Sequence, residues 1–438
     1  MKAYLSSLGC KLNQNEIETL ARDLAANGCQ VVSDPAQADL IVLNTCTVTQ
    51  VAARKSGQLA RHLHRANSQA RIILTGCFAE LSAAEAAELP GVHWVVGNQE
   101  KERLLDLIRD ATQQAPAAAR PIAAIPGGPG SLTRKDLPLL RTRASVKIQD
   151  GCDNECSYCI VRIARGLQRS RSQEDILAEI QERLQAGYKE IVLTGVHIGA
   201  YGRDQGAAQQ SSLWELVRNI LSRTGVPRLR LSSIEPWDIS ATHLTLWEDQ
   251  RLCRHLHLPL QSGCDAVLSR MKRRYTARQF AHVVEAARQA IPDIAITTDL
   301  IVGFPGETEG EFRQTLDFVE AMQFARVHIF PYSPRPRTVA ALLPNQIAPP
   351  IKQERSRILT EVTHRSQVAF WQQFIGRVVW VLWETQNERH EWSGLTDHYL
   401  RVLTTCSQDL SNALTQVRIS GLTSRGLQGH ILETEGTS

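Results

Sequence analysis

Three cysteines lie close together in the segment GCDNECSYCI, as Cys152, Cys156 and Cys159. This CxxxCxxC pattern brings three thiols within eight positions, a spacing too tight for side chains that share no partner. Thiolates converge on soft metals, so the pattern indicates zinc or an iron–sulfur cluster. A zinc site normally has a fourth Cys or His ligand nearby, but the nearest later candidate is His197 and no CxxC pair follows. The spacing therefore favours a cluster with one open iron, and a structural zinc knuckle or buried thiols is the alternative.

A second set of three cysteines follows predicted strands in residues 1–110. That region alternates short apolar runs with helix-like spacing, which predicts a doubly wound parallel sheet. Cys10, Cys46 and Cys77 each come just past the carboxyl end of a strand, the edge where open α/β sheets bind ligands. Cys29, in contrast, lies at the entry of its strand. We predict a second cluster site on the first three; buried structural cysteines are the alternative.

Six further strand candidates, separated by helical stretches, predict an open partial (β/α)6 barrel in residues 141–371. The loop with Cys152 follows the first of these strands, at the end where such barrels carry their chemistry. Other strands end in glycines, which allow close backbone approach, and in polar residues that can hydrogen-bond a ribose or an ammonium group. The candidate cofactor-binding residues are Thr194, Gly195, Ser233, Glu235, Gln261, Ser262 and Gly303.

Residues 372–438 change character, because short strands alternate there with turns in the pattern of a small antiparallel β-barrel. Four tryptophans and four arginines in or beside this module can stack on and neutralise single-stranded RNA, although tryptophan is as commonly a core residue. These residues are Trp371, Trp380, Trp383, Trp392, Arg389, Arg401, Arg418 and Arg425. The stretch 111–140, rich in Ala, Pro and Gly, is predicted to be a linker with a basic end at Arg134 and Lys135.

The composition is that of a soluble protein with packed cores. Hydrophobic residues make up 43% of the 438 residues and charged residues 21%, and the net charge is +4, which permits a nucleic-acid partner without requiring one. No apolar run approaches the roughly 18 residues of a membrane span, and no signal peptide is recognised at Met1. Ten cysteines without a secretory signal favour a reducing cytoplasm and metal ligation over disulfides.

The cysteine loop resembles that of radical S-adenosylmethionine (SAM) enzymes, whose pattern is CxxxCx(aromatic)C, with Tyr158 at the aromatic position. The resemblance implies that Cys152, Cys156 and Cys159 bind a 4Fe–4S cluster and that SAM chelates its open iron. It further implies reductive cleavage of SAM to a 5′-deoxyadenosyl radical. The cofactor carries this chemistry, whereas the protein positions it and excludes water.

The order of the three regions resembles the methylthiotransferases over the whole chain, with their TRAM module from about residue 374. Within that family the sequence resembles the tRNA threonylcarbamoyladenosine methylthiotransferases. The matching segments are LGCKLNQNE, NTCTVT, KIQDGCDNECSYCI, VLTGVHIGAYG, LRLSSIEP, LPLQSG and VGFPGET. Two positions depart from the family, with Arg162 in place of Pro and Cys264 in place of Ser. Both flank the expected pocket and leave the cluster ligands unchanged.

The implied reaction inserts sulfur at an unactivated aromatic C–H bond of an adenosine beside the anticodon and methylates that sulfur. A radical is needed because the C–H bond has no leaving group. One SAM would supply the radical and another the methyl group. A second 4Fe–4S cluster, on Cys10, Cys46 and Cys77, would carry or donate the sulfur.

The expected partners are the tRNA anticodon loop, whose bases are accessible, an electron donor and a sulfur source. We expect a cytoplasmic monomer without membrane contact. Two alternatives remain at this point: an isopentenyladenosine tRNA methylthiotransferase, and a non-catalytic iron–sulfur protein that binds RNA or senses redox state. The strand-end pocket argues against the sensor, which needs no SAM site.

Overall fold

The structure, a computed structural model, describes residues 1–113, 141–206 and 211–432. The chain forms two compact units. The cysteine unit comprises Met1–Arg141, Gln149–Arg169 and Ser333–Ala341, and the barrel unit comprises Thr142–Ile148, Ser170–Tyr332 and Leu342–Ser438. Most of the predicted linker (111–140), with Arg134 and Lys135, lies outside the described residues. The sequence-based boundaries at 110, 140 and 371 stay predictions.

The α-helices of the described residues begin and end as follows: α1 (Lys11–Ala26), α2 (Gln50–Ala66), α3 (Cys77–Leu81), α4 (Ala83–Ala87), α5 (Leu104–Gln113), α6 (Val161–Arg165), α7 (Gln173–Gln185), α8 (Leu213–Arg223), α9 (Ala241–Leu244), α10 (Asp265–Arg270), α11 (Ala277–Ala290), α12 (Glu309–Met322) and α13 (Pro349–Gln372). Side-chain caps start several of them. The Ser172 hydroxyl, for example, accepts a hydrogen bond from the backbone N–H of Asp175 at the start of α7.

The β-strands are β1 (Lys2–Ser7), β2 (Gln30–Val31), β3 (Leu40–Thr45), β4 (Arg71–Gly76), β5 (Val92–Val96), β6 (Ala144–Lys147), β7 (Gln149–Asp150), β8 (Arg169–Ser170), β9 (Glu190–Thr194), β10 (Arg228–Leu231), β11 (His255–His257), β12 (Ala295–Val302), β13 (Arg326–Pro331), β14 (Val378–Gln386), β15 (Glu391–Thr396), β16 (Arg401–Thr405), β17 (Leu414–Thr423) and β18 (Gly426–Ile431). Among the described residues, no helix has the length and apolarity needed to cross a membrane.

The cysteine unit contains the predicted parallel sheet, in the strand order β2-β1-β3-β4-β5. Every residue of β3 is buried, because helices cover both faces of the sheet. Alternate positions pack on opposite sides: Val42 lies in one core cluster and Ile41 and Leu43 lie in the other. The strand order reverses between β1 and β3, and in such sheets the crevice at that reversal binds ligands.

The barrel unit contains the six predicted parallel strands in two sheets, β10-β9-β6 and β11-β12-β13. Isolated bridges from Leu229 to Leu252 and from Ser233 to His257 continue the order from β10 to β11. The result is a partial barrel with β6 at one edge and β13 at the other. The predicted α/β fold class is thereby confirmed.

The C-terminal strands close into the predicted small barrel, in the order β14-β15-β16-β18-β17. The segment GLTDHYLRVLT turns between two of these strands, because β15 ends at Thr396 and β16 begins at Arg401. Tyr399 adopts a left-handed backbone with φ 66°. The carbonyl groups of Thr396 and Asp397 are held by the guanidinium of Arg230, a long-range contact that no local pattern reveals.

Candidate active site

Two strand ends and a helix start bring Cys10, Cys46 and Cys77 together in the cysteine unit. Cys10 is the N-cap of α1, Cys46 follows β3, and Cys77 is the first residue of α3. The approach is so close at Gly9, whose φ is 100°, that a Cβ atom there would lie 2.6 Å from the Cys46 sulfur. Only glycine satisfies both the backbone angle and the space.

The surroundings of these three cysteines suit metal-bound thiolates better than free thiols. Burial raises the pKa of Cys46 to about 11; a backbone N–H bond from Val48 lowers it, and the neighbouring Cys77 and Cys10 raise it again. Burial also raises the pKa of Cys77, with an opposing effect from Arg165. Neighbouring buried thiolates repel one another unless a cation lies among them, and an iron–sulfur cluster would supply that charge. The donor set therefore fits such a cluster.

Arg165 lies next to these thiols and is 2% exposed. Its guanidinium donates to Glu16 Oε1 at 2.8 Å and to Asp150 Oδ1 at 3.0 Å. Lys101 also pairs with Glu16, so the buried Arg165 and the half-buried Lys101, Glu16 and Asp150 lie beside the cysteines. Sequence reasoning missed this cluster, whose local signal is confined to Asn13 and Glu16, three and six positions after Cys10.

The other three cysteines, Cys152, Cys156 and Cys159, are half-buried in the loop before α6. Burial raises the pKa of Cys159 to about 12; the backbone N–H of Val161 lowers it, and Cys156 and Cys152 raise it again. The loop starts at Gly151, with φ 68°, where a Cβ atom would lie 1.9 Å from the carbonyl oxygen of Leu167. This donor set also fits an iron–sulfur cluster.

Tyr158, the aromatic residue of the loop, is half-buried, and its neighbour Ser157 accepts a backbone hydrogen bond from Ala340 at 2.8 Å. Arg162, which departs from the family pattern, forms a surface ion pair with Glu155 at 2.8 Å. This exposed pair lies outside the ion-pair cluster around Arg165, so an Arg in place of Pro is accommodated at the surface.

In the barrel unit, the predicted cofactor residues lie at strand ends, in different surroundings. Thr194 is the last residue of β9 and is 1% exposed, and Gly195 follows it. Ser233 follows β10, and Glu235 accepts a hydrogen bond from Arg273 Nη1 at 3.3 Å. That guanidinium in turn lies 5.2 Å from the ring centre of Trp237. Glu235 is thus held in place by a buried cation.

The later strand ends are tightly built. Gln261 adopts φ 67° and donates its backbone N–H to the carbonyl oxygen of Asp299. The Ser262 hydroxyl is buried and hydrogen-bonds Thr315, so it stabilises the loop. Gly303 donates its N–H to Glu307 Oε2 at 2.7 Å. These contacts shape a polar rim at the carboxyl ends of β11 and β12.

Cys264 and Cys253 lie outside both triads, and each is 2% exposed. Cys264 starts α10, and its backbone N–H donates to the Ser262 hydroxyl. Burial raises the pKa of Cys253 to about 11, which keeps this thiol protonated. Neither shares its loop with another cysteine.

Comparisons with known proteins identify the family. Residues 146–319 match the family model of the radical SAM superfamily, and residues 2–97 match that of the uncharacterized protein family UPF0004. The threonylcarbamoyladenosine tRNA methylthiotransferase MtaB of Bacillus subtilis is 36% identical, over 94% of this chain and 92% of that protein. Its namesake in Thermotoga maritima is 40% identical, over 91% and 90%.

A relative with a different name is the tRNA-2-methylthio-N(6)-dimethylallyladenosine synthase of Sphingopyxis alaskensis, 34% identical over 88% of this chain and 87% of that protein. Among solved structures, the radical SAM methyltransferase TsrM of Kitasatospora setae covers 78% of this chain with a TM-score of 0.55 and 16% identity. The aligned part is 77% of the TsrM chain, and this likeness concerns the fold alone.

Proposed function

Since the chain belongs to the radical-SAM methylthiotransferase family, we propose that it adds a 2-methylthio group to N6-threonylcarbamoyladenosine beside the anticodon of tRNA. The observation that carries the proposal is the presence of two cysteine triads in one compact unit, each with a donor set that fits an iron–sulfur cluster. The relatives named for this reaction align over nearly the whole chain, and the two family models match ranges that contain both triads.

Cys152, Cys156 and Cys159 would hold one 4Fe–4S cluster, and Cys10, Cys46 and Cys77 a second. When bound, the first cluster supplies the electron that cleaves SAM, and the resulting radical can attack a C–H bond that acid–base catalysis cannot activate. The backbone N–H of Val161 stabilises negative charge on the Cys159 sulfur. Arg165 and Lys101 stabilise negative charge at Cys77.

The residues that we propose for binding SAM are Thr194, Gly195, Ser233, Glu235, Gln261, Ser262 and Gly303, together with Tyr158 of the cysteine loop. The backbone groups at these strand ends and the fixed carboxylate of Glu235 can hydrogen-bond a ribose or an ammonium group. We propose tRNA as the macromolecular partner, together with an electron donor and a sulfur source, and a monomer acting in the cytoplasm.

The test is nucleoside mass spectrometry of tRNA from cells with and without this gene. We expect 2-methylthio-N6-threonylcarbamoyladenosine only when the gene is present, and its loss when Cys156→Ala replaces the wild type. A methylthio group on isopentenyladenosine instead would identify the second candidate, which the Sphingopyxis relative favours. If the tRNA is unchanged and the reduced, anaerobic protein does not cleave SAM, the remaining candidate is the non-catalytic iron–sulfur protein that binds RNA or senses redox state.

A further inference from the structure

One face of β12 and β13 carries polar side chains inside the partial barrel. The residues Thr297, Asp299 and Ile301 alternate along β12 with Thr298, Leu300 and Val302, which are buried. On β13, Arg326, His328 and Phe330 share one face because strand side chains alternate. Barrel interiors are usually filled by apolar side chains, so a polar face there is a candidate binding surface.

The strand register orders these side chains into three rows. Arg326 is opposite Thr297, His328 is opposite Asp299, and Phe330 is opposite Ile301. His257 of the adjacent β11 joins the first two rows, since its Nδ1 lies 2.9 Å from the Thr297 hydroxyl and its Nε2 lies 3.2 Å from Asp299 Oδ2. We call Arg326, His328, Phe330, Asp299 and His257 the inner strip.

The inner strip is accessible. A cavity of about 620 Å³ is lined by Arg326, His328 and Phe330, and the Phe330 side chain is 44% exposed. Arg143, Arg401 and Arg425 line it too. Glu384 pairs with Arg143 at 2.9 Å and Glu391 with Arg425 at 2.5 Å, so the four arginines outnumber these two carboxylates. The cavity is therefore positive and suits an anionic ligand.

We propose that the inner strip binds the threonylcarbamoyl substituent of the substrate adenosine, an inference that rests on the proposed function. Phe330, nearest the carboxyl end of its strand, packs against the purine. His328 and Asp299 hydrogen-bond the urea and hydroxyl groups, and Arg326 pairs with the carboxylate. The chemistry recognised is thus an anionic, hydroxylated urea on the purine N6 atom.

The dimensions agree with this assignment. Strand residues rise by about 3.3 Å, so Phe330 and Arg326 are about 13 Å apart along β13. The substituent extends about five bonds, or roughly 6 Å, from the purine ring to its carboxylate. A ring stacked on Phe330 leaves the urea beside His328, and the long Arg326 side chain reaches the carboxylate from the row below. An apolar isopentenyl group would offer Arg326 no carboxylate and His328 no hydrogen-bonding group, so it would bind more weakly.

Three residues of the inner strip, His257, Asp299 and His328, have ligand atoms within 4.8 Å of one another. This arrangement can hold a divalent cation. The substrate group fits better because both ring nitrogens of His257 already lie within hydrogen-bonding distance of Thr297 and Asp299. Arg326, at the end of the strip, also adds a positive charge that opposes a metal ion.

The experiment measures binding of the reconstituted full chain to anticodon stem-loops by fluorescence anisotropy. Three stem-loops differ only at the target: threonylcarbamoyladenosine, its methyl ester, or plain adenosine. The variants are Arg326→Gln and His328→Asn, with Arg313→Gln as the matched control, an exposed arginine on α12 that does not line the cavity. Iron content and tRNA-independent SAM cleavage confirm that each variant is folded.

We expect wild type to bind the threonylcarbamoyl loop more tightly than the ester or plain loop. Arg326→Gln should bind that loop, and no other, with about tenfold lower affinity, so that it no longer distinguishes acid from ester. His328→Asn should weaken the binding of both acid and ester. Both variants and the control should bind plain adenosine as wild type does. Variants that keep the wild-type preference would overturn the inference while leaving the proposed function intact. So would a stoichiometric non-iron metal in the isolated protein that His328→Asn removes. A wild-type enzyme that forms no methylthio product on the threonylcarbamoyl loop would instead refute the function itself.

Discussion

The guanidinium of Arg165 donates a 2.6 Å hydrogen bond to the side-chain oxygen of Asn13, 152 positions away in the chain. Arg165 ends α6, which follows the loop of Cys152, Cys156 and Cys159, while Asn13 lies in the first turn of α1, which starts after Cys10. One buried hydrogen bond therefore fixes the helix behind one cysteine triad to the helix behind the other. This contact, with the ion pairs to Glu16 and Asp150, makes Arg165 the residue that couples the two cysteine-bearing segments.

The first prediction concerns the stability of that connection. Arg165→Met should destabilise the cysteine unit by about 3–5 kcal/mol, because Glu16 and Asp150 would lose a buried cation. The control is Arg162→Met, since the exposed pair with Glu155 should contribute at most about 1 kcal/mol. Denaturant unfolding of the two apo variants, followed by circular dichroism, makes the comparison. Equal midpoints would show that the Arg165 network has no stabilising role.

Local and long-range features differed in how well the sequence predicted them. The positions of Cys10, Cys46 and Cys77 after their strands could be predicted because a strand end is a local pattern, and parallel strands bring their ends to one edge. The Asn13–Arg165 bond and the pairing of His328 with Asp299 could not, because each depends on the packing or register of distant segments. The turn at Tyr399 was missed for the same reason: Arg230 holds it from another sheet.

The second prediction is the iron content. Anaerobic reconstitution should load about eight irons per chain, since each cysteine triad would hold one 4Fe–4S cluster. Replacing Cys152, Cys156 and Cys159 with Ala should remove about half of the iron, while the control change of Cys253 to Ala should remove none. Iron and sulfide analysis, with electron paramagnetic resonance of the reduced protein, measures this. A full load in the triple variant would exclude that triad as a cluster site.

The third prediction separates the two triads by function. Replacing Cys10, Cys46 and Cys77 with Ala should abolish the methylthio product and leave reductive SAM cleavage measurable, because the open-iron spacing belongs to the other triad. Chromatography of 5′-deoxyadenosine and of digested tRNA reports the two activities separately. If this variant is folded and keeps its remaining cluster, loss of SAM cleavage would contradict the division of labour.

The fourth prediction is a pH dependence of stability from His398 in the barrel unit. Burial lowers the pKa of this histidine, but its pairs with Asp293 (3.4 Å) and Asp397 (2.9 Å) outweigh burial and raise the pKa above its ordinary value. A raised folded-state pKa stabilises the protein below the unfolded value of about 6.5, and this contribution is lost as pH rises through the folded value.

The thermal midpoint of the wild type should therefore fall as pH rises above about 6.5, and His398→Gln should lack this part of the fall. Differential scanning calorimetry at a series of pH values compares the two. As a control, His282→Gln changes an exposed histidine on α11 and should keep the wild-type slope. Parallel slopes for wild type and His398→Gln would mean that the histidine binds protons equally in the folded and unfolded states.

The last prediction concerns the C-terminal barrel, whose tryptophans divide into two kinds. Trp383 and Trp392 are core residues at 0% and 3% exposure, so the suggestion that they stack on RNA is not supported, whereas Trp380 is 48% exposed. Trp380 is opposite Gln416, and Val378 opposite Arg418, so Trp380 and Arg418 share one outward face of β14 and β17. Removing the whole module would be a poor test, because its backbone carbonyls hold the buried guanidinium of Arg230.

Point variants avoid this difficulty. Trp380→Ala should weaken tRNA binding by about 1–3 kcal/mol if a base stacks on the indole, and Arg418→Gln should reduce the slope of log K against log salt by roughly one if the guanidinium meets a phosphate. Trp383→Phe is the control: it should lower the thermal midpoint and leave tRNA affinity per folded molecule unchanged, since its indole is buried and its Nε1 donates to the Thr415 hydroxyl. Filter-binding titrations over a range of salt concentrations measure both quantities. Wild-type affinity and slope in both surface variants would place the RNA on another face of the protein.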